Sequence, residues 1–142
     1  FSWHDRLQTE AVTFKRLTTA TGRQFDFPDC QRQHNGTANY KTQIVNYPVQ
    51  SVATAEIVPL GVILLHKKMK KLSLKSVVVN TVHDSVVIDT HPDEEDIISK
   101  IGPQCLLDAQ QEALDRFGLD TYIPLDVEMS HGKNWMEQEE YA

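Results

Sequence analysis

The sequence predicts an α+β fold, with a largely antiparallel sheet and helices packed on one face. Three observations predict it. Two β-branched runs, 76–82 and 85–90, are separated only by His83 and Asp84, the pattern of a tight hairpin. Stretches 2–19, 48–71 and 93–117 carry apolar residues at three- and four-residue steps, the helical period. The resulting order is helix, strand, loop, helix, hairpin, helix, strand. Strands joined by a tight hairpin, with helices to one side, make an antiparallel layer.

Each element has its own warrant. In 2–19, Trp3, Leu7, Ala11, Phe14 and Leu17 share one helical stripe, and Thr21-Gly22 breaks it. Arg23-Gln24-Phe25-Asp26-Phe27 alternates as a strand does and is ended by Pro28-Asp29. Residues 30–39 are nearly all polar, with Asn35-Gly36 as a turn signal, and predict a surface loop prone to disorder. Residues 48–71 predict one long helix with Pro48 in its first turn. Val49, Val52, Ala53, Ile57, Leu60, Ile63 and Leu64 form its apolar stripe. Pro59 should bend it, because proline removes a donor and clashes with the preceding turn. The end, His66-Lys67-Lys68-Met69-Lys70-Lys71, sets positive charge at the negative pole of the helix dipole. After the hairpin a helix opens near Asp93, with Glu94 and Glu95 in its first turn and Ile97, Ile98, Ile101, Leu106 and Leu107 on its apolar side. Pro103 is expected to split it and Gly118 to stop it. Residues 123–129 read as a last strand, followed by a polar tail with Trp135 as anchor.

The chain's 142 residues fit a single domain, 1–142. No uninterrupted run approaches the ~20 apolar residues of a membrane span, and the first residues are not those of a secretory signal. The start at Phe1 suits a processed product or a piece of a longer chain. Cys30 and Cys105 form neither a C-x-x-C pair nor a metal spacing, so free thiols in a reducing compartment are expected. The net charge of −6 is divided unevenly. Residues 1–75 hold 11 Lys/Arg against 5 Asp/Glu, whereas 76–142 hold 3 against 15. The acidic overall balance argues against a nonspecific nucleic-acid binder. One half can meet phosphates, and the other is solvated or gathered around cations.

Asp84 is the candidate for chemistry. A carboxylate on a tight turn between two apolar strands is rigidly held, where a hydrated Mg²⁺ could meet phosphate oxygens. The same pattern is that of an ordinary hairpin turn, in which Asp is common. A His-Asp pair also marks metal phosphohydrolases, although those need further ligands on helices. His83 could contact a phosphate or simply brace the turn. Asn46 and Gln50 lie four apart, on one face if the helix begins a little before Pro48, and their amides can donate to base-edge acceptors in a minor groove. Unpartnered surface amides would look the same. The lysines of 67–71 read as a solvated helix end or a phosphate patch.

Four motifs line up in order with one family. Gly22-Arg23-Gln24-Phe25-Asp26-Phe27-Pro28-Asp29 resembles the glycine-arginine hairpin of DNA polymerases of the bacterial DNA polymerase I type, family A. Asn46-Tyr47-Pro48-Val49-Gln50 is similar to the Asn-x-Pro-x-Gln that opens a palm helix there. Val82-His83-Asp84-Ser85 resembles motif C, usually Val-His-Asp-Glu. Val127-Glu128-Met129-Ser130-His131-Gly132-Lys133-Asn134-Trp135 is similar to the closing strand and Gly-x-Asn-Trp tail. The phage-like members are the most similar, through Asn-Tyr-Pro-x-Gln and the serine after His-Asp.

The resemblance implies an incomplete palm, the C-terminal part of one, with a motif C hairpin. Asp84 would be a metal ligand and catalytic residue, one of two palm aspartates holding a pair of Mg²⁺ ions. His83 would lie by the primer terminus, as a catalytic and DNA-binding residue. Asn46, Gln50 and Arg23 would line the primer–template. Ser85 replaces the usual glutamate, and Thr42 stands where many relatives carry an arginine. Motif A, the fingers helix and the 3′–5′ exonuclease region are not in this sequence. The resemblance implies that an N-terminal polymerase portion supplies motif A and the fingers, with most of the deoxynucleoside triphosphate site. The expected setting is the cytoplasm of a bacterial or phage-infected cell, with no membrane partner. Two other classes stay open: a DNA-binding or assembly module of a replication protein, and a metal-dependent phosphohydrolase.

Overall fold

The structure is a computed structural model and describes residues 2–120 and 123–141. The chain divides into two compact units, Phe1–Glu56 and Ile57–Ala142, each with a core of its own.

In the first unit, helix α1 (Trp3–Phe14) opens with a capping box: Ser2 Oγ accepts from Asp5 N–H at 3.2 Å while the Asp5 carboxylate reaches back to Ser2. The helix is shorter than its apolar stripe predicts. Lys15 adopts a left-handed conformation with φ 57°, which ends α1. Leu17 then lies on strand β1 (Arg16–Thr18), paired antiparallel with β2 (Gln24–Asp26), so that Leu17 faces Phe25. The leucine is buried as expected, but on a strand. Its core partners are Ala11, Phe27, Cys30, Ala38 and Ile44. The polar stretch 30–39 is tied down rather than free. Arg32 donates to Gly36 O and to Thr9 Oγ1, each at 2.7 Å, and Gln31 N–H donates to Asn39 Oδ1 at 3.0 Å. Buried Gln8 spends its amide oxygen on Ala38 N–H at 3.0 Å.

Helix α2 (Lys41–Ser51) begins seven residues before Pro48, which is therefore interior rather than in the first turn. Burial of Ile44 and packing of Tyr47 against Phe25 and Phe27 draw 41–47 into the helix. A π-helical turn, Val52–Ile57, follows and leads without a break into α3 (Val58–Lys71). The bend expected at Pro59 is thus a widened turn just ahead of it. By length and composition the continuous helix Lys41–Lys71 could cross a membrane, although no single apolar run stood out in the sequence. Its residues Ile44, Ile57, Val58, Leu60, Leu65 and Met69 are buried, while Val49 and Ile63 are exposed.

In the second unit α3 packs on α4 (Glu95–Phe117). Leu65 and Met69 meet Ile98, Ile101 and Cys105, flanked by Val78, Ile88 and Met129. Gly61 lets the helices close: a Cβ there would stand 2.5 Å from Leu106 Cδ2 and 3.1 Å from its Cα. Pro103 does not split α4, because buried Ile98, Ile101, Gly102 and Cys105 hold both sides of it. Gly118, φ 65°, ends the helix as expected.

The hairpin forms as predicted, from β3 (Val77–Val82) and β4 (Ser85–Asp89), with Val82 facing Ser85 and an irregularity at Val79. Residues 123–129 do not form a strand. Pro124 has no N–H to give, Val127 N–H is taken by Asp126 Oδ1 at 2.9 Å, and Ile123 O accepts from Gln110 Nε2 at 2.7 Å. The last pairing comes later, between β5 (Ser130–Asn134) and β6 (Glu137–Glu140). The architecture is α+β and antiparallel throughout, and the described strands form three two-stranded ladders.

Candidate functional site

The candidate residues fall on the two units separately. In the second unit, His83 and Asp84 are the whole connection between β3 and β4. His83 takes φ 53°, a left-handed conformation that such a short turn demands and that L side chains rarely adopt. Ser85 Oγ donates to Val82 O at 2.9 Å and closes the turn. Behind it Ile88 anchors β4 in the core, so the tip is held from its root. Both His83 and Asp84 are exposed.

Among the described residues no group of three or more His, Cys, Asp and Glu side chains gathers to hold a metal. Asp84 suits Mg²⁺ as a single hard oxygen ligand, since Mg²⁺ keeps waters and takes one or two carboxylates plus phosphates. Alone it does not make a metal site.

In the first unit, Asn46 and Gln50 are exposed and one turn apart on α2, with Thr42 a turn before them. Tyr47 sets this face by stacking near Phe27, ring centroids 6.2 Å apart, and tilting on Phe25 at 5.5 Å. Arg23 lies just before β2 and is not a loose surface arginine. Its Nε donates to Glu56 Oε1 at 2.9 Å and its Nη2 to Ala55 O at 3.3 Å. Thr21 Oγ1 donates to the same Glu56 oxygen at 3.0 Å. Sequence reasoning missed Glu56, although a signal was present: it is the one acid between Asp29 and Asp84.

Two carboxylates brace the second unit. Glu94 accepts from Ser76 Oγ at 2.6 Å, from Lys75 N–H at 2.8 Å and from Ser76 N–H at 2.8 Å. The Ser76 hydroxyl and then the Lys75 N–H bring its carboxyl down to about 2. This clasp fixes the start of β3 against the turn preceding α4. Glu95 accepts from Tyr141 Oη at 2.9 Å and pairs with His131 Nδ1 at 2.7 Å. The Tyr141 hydroxyl and then His131 hold its carboxyl low, while burial and this bond push Tyr141 up to about 12. His131 and Tyr141, rings 4.3 Å apart, therefore anchor the C-terminal hairpin. Trp135, the expected anchor, sits in the β5–β6 turn and is 55% exposed, because the tip of a tight hairpin points away from its root.

Known proteins bear on this arrangement. The sequence model of the family described as DNA polymerase family A matches residues 1–137. DNA polymerase I of Caldicellulosiruptor bescii is 31% identical over 110 residues, 77% of this chain and 12% of that protein. DNA polymerase I of Aquifex aeolicus is 25% identical over 135 residues, 94% of this chain and 20% of that protein. The chain thus spans a fifth or less of the length of these relatives. A solved structure, the POL domain of Pol1 from M. smegmatis in complex with DNA primer-template and dNTP, is similar with a TM-score of 0.63 at 19% identity. That likeness covers 75% of this chain and 19% of the other, and shows the fold. With the family model spanning nearly every residue, the chain belongs to DNA polymerase family A.

Proposed function

We propose that this chain is the C-terminal palm portion of a DNA-directed DNA polymerase and works with an N-terminal portion that carries motif A and the fingers. The observation that carries the reading is Asp84 on a two-residue turn, exposed and rooted in a packed core, in line with three other family motifs. The reaction is attack of a primer 3′-hydroxyl on the α-phosphate of a deoxynucleoside triphosphate. The hydroxyl gives up its proton to solvent, a new phosphorus–oxygen bond forms, the bond to the bridging oxygen breaks, and pyrophosphate leaves. When bound, Mg²⁺ would neutralise phosphate charge, with Asp84 and an aspartate from the N-terminal portion as its protein ligands.

The chain's own residues bind and orient. His83 stands next to Asp84 in the turn and holds the primer end. Asn46 and Gln50 offer amide donors to the minor-groove acceptors common to all base pairs, a contact that grips duplex without reading sequence. Arg23 adds a cation to the same unit. A primer-extension assay tests the reading. The chain alone should extend nothing, addition of the N-terminal portion should restore extension, and Asp84→Ala should abolish it. Extension that survives Asp84→Ala sinks the assignment.

A second reading, a palm that grips duplex without chemistry, is favoured by the exposed amides on α2 and by the lack of a metal-holding cluster among the described residues. It wins if no N-terminal portion restores extension while salt-sensitive binding of primer–template persists.

A further inference from the structure

Glu56 is a built feature of the first unit. Its side chain is only 10% exposed, and a buried carboxylate is costly unless it is charge-paired and hydrogen-bonded. Both conditions hold: Arg23 Nε donates to Oε1 at 2.9 Å and Thr21 Oγ1 donates to it at 3.0 Å. The local backbone contributes as well. Pro59 lacks the N–H that an α-helix would return to the Ala55 carbonyl, and Arg23 Nη2 donates to that carbonyl at 3.3 Å. Ala55 and Glu56 both lie in the π-helical turn Val52–Ile57. Arg23 is thus held along one edge, Nε and Nη2. These bonds leave Nη1 unspent, on a side chain still 43% exposed.

We infer that Glu56, with Thr21 and the Ala55 carbonyl, is a positioning residue that locks the Arg23 guanidinium with its Nη1 side turned to duplex DNA. The inference rests on the reading of Arg23 as a DNA contact. Its physical content is preorganisation. A free arginine loses rotamer freedom on being fixed, and here that ordering occurs in the folded protein before DNA arrives.

Positioning and plain charge predict opposite signs. Glu56 is an anion in a unit proposed to meet phosphates, so on charge alone its removal should tighten binding. If it positions Arg23, its removal should weaken binding.

The experiment is fluorescence anisotropy of a labelled primer–template duplex at low salt with this chain. It compares the native protein with Arg23→Ala, Glu56→Ala, Glu56→Gln and the double variant Arg23→Ala/Glu56→Ala, with a thermal melt of each. The expected result is a loss of about tenfold for Arg23→Ala and nearly as much for Glu56→Ala. Glu56→Gln, which keeps an acceptor oxygen and the shape of the side chain, should recover part of the loss. In the Arg23→Ala background, removal of Glu56 should cost nothing further. If Arg23→Ala weakens binding while both Glu56 variants bind as tightly as the native chain or tighter, the inference is overturned and the Arg23 reading stands. If removal of Glu56 costs as much without Arg23 as with it, its role is general packing, and the inference is overturned. If Arg23→Ala is silent, the Arg23 reading fails and takes the inference with it.

Discussion

Asp84 and Glu94 are carboxylates of opposite kinds. Asp84 is exposed on its turn, so Asp84→Asn, which keeps the shape and removes the charge, should leave folding within about 0.5 kcal/mol of native. The same variant should abolish extension in the complemented assay. A melting curve and a gel assay on one preparation separate the two effects. Glu94 is spent on structure. Its folded value of about 2 lies below the ordinary carboxylate range, so its bonds stabilise the fold fully above about 4.5. That contribution is lost as pH falls through about 2. Urea unfolding between pH 5 and pH 2 should therefore lose stability steadily in the native chain, and less steeply in Glu94→Gln. Equal slopes would show that the clasp to Lys75 and Ser76 does not form in solution. Glu95, held low by Tyr141 and His131, adds to the native slope in the same direction.

At the scale of elements, two glycines decide close approaches. Gly61→Ala would put a methyl group 2.5 Å from Leu106 Cδ2 and 3.1 Å from its backbone Cα, which cannot rotate away. The α3–α4 contact should open, at a cost of about 1–3 kcal/mol, read as a lowered urea midpoint with an unchanged slope. Gly132 is tighter still: a Cβ would meet Glu137 O at 1.8 Å, so Gly132→Ala should break the β5–β6 ladder. Hydrogen exchange at His131 and Glu139 would rise while the α3 and α4 amides stay protected. The elements also differ in how openly the sequence displayed them. The β3–β4 hairpin was legible because two β-branched runs flank a two-residue turn. The stop at Gly118 was legible because αL glycine ends helices. The start of α2 was not, because Lys41–Asn46 carries no helical stripe and is made helical by Ile44 and Tyr47 finding partners elsewhere in the unit. Strands β5 and β6 are entirely exposed and polar, so no alternation of burial marked them.

Each of the two units has its own small core. The hairpin's outer residues Val77 and Val79 are more than half exposed. An apolar two-stranded ladder with open edges is a template for pairing with another chain. Self-association through it is expected to rise with concentration in light scattering, and Val79→Lys should reduce it. A monodisperse, highly stable native chain would contradict this.

By itself the sequence determined the α+β class, the β3–β4 hairpin and the family, because these depend on local periodicity, turn chemistry and motif order. Only the tertiary structure decided what the motifs are attached to. The pairing of Arg23 with Glu56 across 33 residues and the carboxylate clasps of Glu94 and Glu95 arise from contacts between segments remote in sequence. A carboxylate's neighbours are fixed by packing, and no pattern along one strand or helix encodes which N–H or guanidinium will reach it.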